Sequence, residues 1–454
     1  MVLLLSTYDL GRQPTGLATP AAWLADAGLD VRVRDLSLDR LQATDLDGVS
    51  FVALSLPMHT ATRLAMPLIR ALRQRHPDLP ICAYGLYAPL NEARLRDDGA
   101  TLVLGPEQLE QLVDEARRAH GRPGTATVAT APAPSPVPAG RRRLELVPDR
   151  GALPSLERYA RLRWPDGHDS LTGVAEATRG CKHRCRHCPI VPVYDGRFVA
   201  VPVETVLEDI RRQVRSGATH ITFADPDFFN GPTHARRLVE ALHREWPALT
   251  YDATIKVEHL RQHDALLPTL VETGCAFVVS AVESLDDEVL GRLDKGHTRA
   301  DVEAVVARCR GLGLALSPTF LAFTPWTTLD SYSTFLDDID ALGLVGHVAP
   351  VQWTLRLLVT QHSRLLELDD IRAVAGPFDD RTLTHPWRHP DPAVDVLQRA
   401  VMDHVGVTPD APRNATFTAV RRLAAAAAAD GAPQMPAPLL SRSAIPYLTE
   451  PWYC

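Results

Sequence analysis

Thr178-Arg-Gly-Cys-Lys-His-Arg-Cys-Arg-His-Cys-Pro189 places Cys181, Cys185 and Cys188 in a C-x3-C-x2-C triplet directly after an apolar run. A cubane [4Fe–4S] cluster is closed by four cysteines, so a triplet holds three irons and leaves one open to an outside ligand. An open iron is the feature that lets a cluster bind and reduce a small molecule. The alternative metal is zinc, which takes cysteines as C-x2-4-C pairs and almost always four ligands. Zinc here would have to recruit His183, His187 or a distant residue, because no second pair follows.

The chain has 454 residues, 45% apolar and 23% charged, enough for two or three buried cores. Its 7 cysteines are odd in number and without repeating spacing, so no disulfide framework is expected. Clustered free cysteines suit a reducing cytosol. The opening Met1-Val-Leu-Leu-Leu-Ser lacks a basic region, and Ala424–Ala429 is too short to span a bilayer. These features predict a soluble cytoplasmic protein with no membrane contact. The net charge of −7 gives no encouragement to nucleic-acid binding. Among 48 basic residues only Lys182, Lys256 and Lys295 are lysine. Arginine and lysine are not interchangeable where a compact donor is needed, which makes these three candidates for chemistry.

Residues 1–120 alternate buried-strand runs with helical patterns. Val2–Leu5, Val31–Val33, Phe51–Leu56, Ile81–Tyr84 and Leu102–Leu104 read as strands. Thr19–Ala27, Ala61–Arg75, Leu90–Asp98 and Pro106–Ala119 read as helices between them. The result is an α/β, doubly wound parallel sheet with ligands expected beyond the strands' carboxyl ends. No G-x-G-x-x-G follows the first strand. Residues 121–143, rich in proline and alanine, read as a semi-rigid spacer. Over 144–357 a second series offers strands at Thr172–Ala177, Ile221–Ala224, Tyr251–Ile255, Ala276–Val282, Ala315–Leu321 and Val348–Trp353. Six βα units predict a partial (β/α)6 barrel, whose chemistry sits on the loops at strand carboxyl ends. The triplet follows the first of these strands. Residues 358–454 read as a helical extension with a tail.

The triplet, its place and the βα units resemble the radical S-adenosylmethionine enzymes. That resemblance implies that the methionine moiety of S-adenosylmethionine chelates the open iron, and that electron transfer yields a 5′-deoxyadenosyl radical. His187 stands where the family commonly has an aromatic residue. Asp225, Pro226 and Asp227, within Phe223-Ala-Asp-Pro-Asp-Phe-Phe229, fall where the family grips the methionine amine with a Gly-Gly-Glu-like segment; asparagine, glycine and proline at 230–232 also suit an ordinary turn. Lys256 ends the third strand. Glu283, Ser284 and Lys295 resemble positions that contact ribose hydroxyls and the nucleoside's carboxylate.

Residues 1–120 resemble the Rossmann-like cobalamin-binding domain of cobalamin-dependent members. The matching loops are Pro14-Thr-Gly-Leu17, Ser55-Leu-Pro-Met-His-Thr60, Tyr84-Gly-Leu-Tyr87 and Leu104-Gly-Pro-Glu107. Ser55, Met58, His59, Gly85 and Tyr87 are the cofactor contacts this implies. No Asp-x-His-x-x-Gly occurs to supply a cobalt ligand, and a domain that no longer binds cobalamin is the alternative. The terminal Ile445-Pro-Tyr-Leu-Thr-Glu-Pro-Trp-Tyr-Cys454 resembles radical S-adenosylmethionine proteins ending in Cys-Cys-Ala-Glu-Pro or Cys-selenocysteine-Ala-Glu-Pro. It makes Cys454 a candidate catalytic thiol and an in-frame UGA a possibility, the dull alternative being a frayed terminus.

The resemblance implies a [4Fe–4S] cluster, S-adenosylmethionine and cobalamin, with methyl transfer as the expected outcome. A radical enzyme of another outcome and a non-catalytic iron–sulfur or zinc protein are the rivals. Expected partners are a small-molecule or peptide substrate and a reductant such as flavodoxin or ferredoxin, without nucleic acid. Cys185→Ala is expected to abolish cluster binding while the N-terminal unit stays folded. Iron analysis and circular dichroism check this, and a retained four-iron cluster would overturn the ligand set.

Overall fold

The computed structural model describes residues 1–121, 144–408, 410–428 and 441–450. Apart from Gly121, the segment read as a spacer lies outside the described residues, as does Cys454.

The first five strands are β1 (Val2–Ser6), β2 (Val31–Asp35), β3 (Phe51–Ser55), β4 (Ile81–Tyr84) and β5 (Leu102–Leu104). All pair in parallel in the order β2-β1-β3-β4-β5. β1, β3 and β4 are buried along their whole length, because helices cover both faces of the sheet; continuous apolar runs follow from that double burial. Two cores result, one on each face. One holds Leu4, Leu17, Trp23 and Leu112, and the other Leu3, Leu54, Ile69 and Leu95. In this strand order the chain reverses direction between β1 and β3, and the crevice at their carboxyl ends is where such sheets take ligands.

The second sheet is built from β6 (Arg161–Arg163), β7 (Asp169–Ala175), β10 (His220–Phe223), β11 (Thr250–Thr254), β12 (Cys275–Glu283), β13 (Leu316–Phe320) and β14 (Tyr447–Leu448). The short β8 (Thr178–Gly180) and β9 (Phe198–Ala200) form a separate antiparallel hairpin. The order is β13-β12-β11-β10-β7-β6-β14, with β7 and β10–β13 parallel and β6 and β14 antiparallel at one edge.

The expected sixth barrel strand is not formed. Val348–Trp353 is a loop ending in a 3-10 turn at Pro350–Trp353, and only a Phe323–Arg356 bridge continues the parallel pattern. Proline has no N–H for a ladder, so Pro350 breaks the run that its apolar neighbours suggest. Trp353 is instead fully buried, its ring 5.3 Å from Phe417 and 6.0 Å from Phe335. The helices Pro392–Val407 and Arg413–Ala428 close the core there.

Buried polar contacts join the two sheets. Arg150 pairs with Asp209 at 2.7 Å and donates to Gln13 Oε1 and the Val174 carbonyl, while Tyr159 OH donates to Asp35 at 3.0 Å. Among the described residues no helix is long and apolar enough to cross a membrane, and no disulfide is formed.

Trp353→Ala is expected to lower unfolding stability by about 3–5 kcal/mol, the range for a deleted core aromatic. Denaturant titration reads the change, and a loss under ~1 kcal/mol would contradict the assigned role of this turn in the core.

Candidate active site

β7 ends at Ala175, and the chain turns through β8 into the cysteine loop. Gly180 has φ +77°, and a Cβ there would lie 2.4 Å from Tyr194 Cδ1 and 2.6 Å from the Arg197 carbonyl. Only glycine satisfies both the backbone conformation and that contact. Two side chains beyond β10 fasten the loop. Asp225 accepts from the N–H groups of Ala177 (2.9 Å) and Thr178 (2.6 Å) and from the Thr178 hydroxyl (2.7 Å). Asn230 accepts from Lys182 N at 3.1 Å and donates to the Gly180 carbonyl at 3.0 Å. Both Asp225 oxygens therefore serve the loop backbone, so its visible role is to hold the loop, whereas the sequence motif suggested a cofactor contact. Burial pushes Asp225 up to about 7 despite these bonds, with Glu176 adding to the rise.

Cys185 is buried, and Cys181 and Cys188 are half-buried. Burial raises the Cys181 thiol to about 11 and the Cys188 thiol to about 12, and each is raised further by Cys185. Lys256 opposes this at Cys181, and Lys295 does so at Cys188. Two of the three lysines thus stand beside the triplet. A metal centre deprotonates coordinating thiols outright, so three thiols on one loop flanked by cations fit an anionic iron–sulfur cluster. His183 and His187 turn their rings toward Asp227 and Glu283, not onto the sulfurs.

Glu283 closes β12 at a shift in register with β13, and its φ of +69° is a left-handed conformation that a non-glycine residue holds only under constraint. His187 Nε2 lies 3.1 Å and Lys295 Nζ 3.4 Å from its Oε1. Burial alone would raise Glu283, but Lys295 and His187 hold it down to about 2. Ser284 accepts from Asp286 N and lines, with Glu283, Leu321, Thr324 and Trp326, a cleft of about 300 Å³. Thr324 and Trp326 thus reach this cleft, whereas Gln352 and Trp353 lie in the core, Gln352 accepting from Phe320 N.

A second cleft, of about 250 Å³, lies between the carboxyl edge of the first sheet and the cysteine hairpin. Ser55, Met58 and Gly85 line it from one side and Glu176, Thr178, Arg179 and Tyr194 from the other. His59 and Tyr87 are not among its walls. His59 Nε2 sits 2.7 Å from the Thr382 carbonyl, and Tyr87 is buried in the core beside Leu383. Glu107, from the loop after β5, takes both donors of Arg179 at 2.9 and 3.0 Å and the Tyr194 hydroxyl at 2.8 Å. Burial raises Asp9 to about 6 and moves Glu176 upward in the same cleft. Hydroxyls, a glycine edge and apolar walls suit the rim of a large planar ligand. The volume lies below the roughly 300–1,000 Å³ of ligand sites, and Arg179 and Tyr194, both held by Glu107, stand among its walls.

Residues 176–328 match the Radical SAM superfamily. That match covers about a third of the chain. Over 288 residues the chain is 22% identical to the tRNA-2-methylthio-N(6)-dimethylallyladenosine synthase of Pseudoalteromonas atlantica, covering 60% of this chain and 54% of that protein. Over 335 residues it is 23% identical to the hopanoid C-3 methylase of Methylococcus capsulatus, covering 71% and 64%. The chain spans about half the length of the curated relatives it matches most strongly. Its fold is similar to that of OxsB, a cobalamin-dependent S-adenosylmethionine radical enzyme solved with aqua-cobalamin and S-adenosylmethionine (TM-score 0.70, 14% identity, 90% of this chain and 67% of that one). It is also similar to the radical S-adenosylmethionine methyltransferase TsrM from Kitasatospora setae (TM-score 0.57, 18% identity, 75% and 73%). Two of these relatives are named for a tRNA modification, so the expected exclusion of nucleic acid is without support.

Several site residues escaped sequence reading. Glu107, Arg179 and Tyr194 meet across 72 to 87 positions, and His259 reaches Asp227 from a helix whose only sequence signal is its place after β11.

Asp225→Asn tests the cost of the buried carboxyl. The folded pKa of about 7 exceeds the ordinary 3.8, so the folded state binds the extra proton and its stabilisation is complete below about pH 4 and lost as pH rises through 7. Melting temperature in cluster-free protein is expected to fall more steeply from pH 4 to 7 in wild type than in the variant. Parallel profiles would contradict the assignment.

Proposed function

We propose that this chain is a cobalamin-dependent radical S-adenosylmethionine enzyme, with methyl transfer to an unactivated carbon or phosphorus-type centre as the leading reaction. The observation that carries the reading is positional. The residues that flank the three-cysteine loop beyond β7, Thr178–Gly180, Ile190 and Tyr194, face across one cleft the carboxyl edge of a 2-1-3-4-5 sheet at its point of reversal. When bound, a cluster with one open iron supplies the electron that splits S-adenosylmethionine, and a corrinoid supplies the methyl group.

The chain's own residues are given the following work. Cys181, Cys185 and Cys188 hold the cluster, and Gly180, Asp225 and Asn230 fix their loop. Lys295 and Glu283 form a charged pair buried beside Cys185 and Cys188, placed to meet the carboxylate and ribose of the nucleoside together with Ser284. Lys256 and Asp227 stand on the Cys181 side. Ser55, Met58 and Gly85 would meet the corrin within residues 1–120, the barrel unit being 144–357 and the cover 358–454. Cys454 would serve as a catalytic thiol, with sequencing past its codon as the test for a selenocysteine reading frame. An external flavodoxin or ferredoxin would deliver the electron in the cytoplasm.

A second reading keeps the radical step but not the corrin, leading to cyclisation, rearrangement or C–S or C–As bond formation. The narrow cleft and the Glu107–Arg179–Tyr194 bridge across it favour that reading.

Reduced, oxygen-free protein is expected to convert S-adenosylmethionine to 5′-deoxyadenosine and methionine, and Cys185→Ala to lower the rate at least ~100-fold. Chromatography of the quenched reaction reads both products. Equal turnover in the variant, or none in the wild type with its cluster loaded, would sink the radical reading.

A further inference from the structure

Behind the cysteine loop three metal-ligating side chains converge from three separate segments. His183 comes from the loop itself, Asp227 from the turn after β10, and His259 from the helix Val257–Gln262 after β11. His183 Nε2 is 3.1 Å from His259 Nε2 and 3.4 Å from Asp227 Oδ2, and His259 Nδ1 is 2.7 Å from that same oxygen. His259 is fully buried, Asp227 is 1% exposed, and the His183 side chain is 12% exposed. Asp227 is aimed by its other oxygen, which accepts from Phe229 N at 3.0 Å.

Hydrogen bonding alone does not account for this packing. A relay from Lys256 through His183 and His259 would have to end at Asp227. There His259 Nδ1 and Asp227 Oδ2 pair at 2.7 Å with an alignment outside that of a well-formed hydrogen bond, and the pull of both histidines holds Asp227 below the usual carboxylate range. Under-satisfied buried polar atoms cost up to about 1–3 kcal/mol each, and metal coordination is one of the few ordinary ways to relieve them.

We propose that His183, Asp227 and His259 form a mononuclear site for a divalent transition-metal ion of the zinc or ferrous class, distinct from the three cysteines. Two imidazoles with one carboxylate are a donor set suited to such ions, and they leave coordination positions open. His183 Nδ1 lies 3.2 Å from Lys256 Nζ and 3.5 Å from Glu258 Oε2, which accepts from that lysine at 2.9 Å; with an ion on Nε2 the Nδ1–H turns to Glu258, the outer carboxylate that ligating histidines commonly address. The ion ties the cysteine loop to the segments after β10 and β11. The site stands whether or not the chain cleaves S-adenosylmethionine.

The test uses full-length protein with its iron–sulfur cluster loaded without oxygen, washed with chelator and then offered Zn²⁺. About one zinc per chain is expected, the count for a mononuclear site, with a zinc-edge absorption spectrum showing only nitrogen and oxygen neighbours at roughly 2.0–2.2 Å. His259→Gln and Asp227→Asn are each expected to weaken uptake at least ~10-fold while the cluster's visible absorbance persists, which shows that the loop still folds. No uptake by the wild type, sulfur at roughly 2.3 Å in the zinc spectrum, or uptake unchanged in both variants would overturn the site.

Discussion

Three thiolates cannot share a buried loop without compensating positive charge, and the rest of this structure is arranged around that electrostatic constraint. Burial and mutual repulsion drive Cys181 and Cys188 toward the protonated form, while Lys256 and Lys295 pull the other way. Lys295 is itself buried, and Glu283 keeps it charged. Glu283 in turn holds a left-handed backbone at the end of β12, a local strain tolerated where surrounding contacts over-determine the conformation. The loop, a lysine and a glutamate therefore form a chain of dependence running from one barrel strand to another.

Positioning the loop needs rigidity as well as charge. Gly180 gives the only backbone that clears Tyr194 and Arg197, and Asp225 and Asn230 reach across from β10 to tie down the loop's N–H and carbonyl groups. Sites carried on such secured loops at the ends of parallel strands keep their geometry while the loop sequences vary. The first sheet brings a second carboxyl edge to the same cleft, and Glu107 clasps Arg179 and Tyr194 across it.

Much of this was legible in the sequence, and for identifiable reasons. The five strands of the first sheet were readable because double burial makes continuous apolar runs. The cysteine triplet and the placed lysines were readable because rare residue types at fixed spacing carry chemistry. Val348–Trp353 misled because apolar content outweighed Pro350, whose missing N–H decides against a strand. His59 and Tyr87 sat in the expected loop, but their rings turn to the Thr382 carbonyl and into the core. Convergences such as His183 with Asp227 and His259, or Glu107 with Arg179, join residues 44 to 76 positions apart or more, and no local pattern announces them.

Iron and cobalt counted per chain, in protein purified without oxygen from cells supplied with cobalamin, bear most directly on the proposal that the chain binds both a cluster and a corrin. The account predicts about four irons and one cobalt, the content of one cubane cluster and one corrinoid. Four irons without cobalt would contradict it, leaving the first sheet with some other task opposite the cysteine loop.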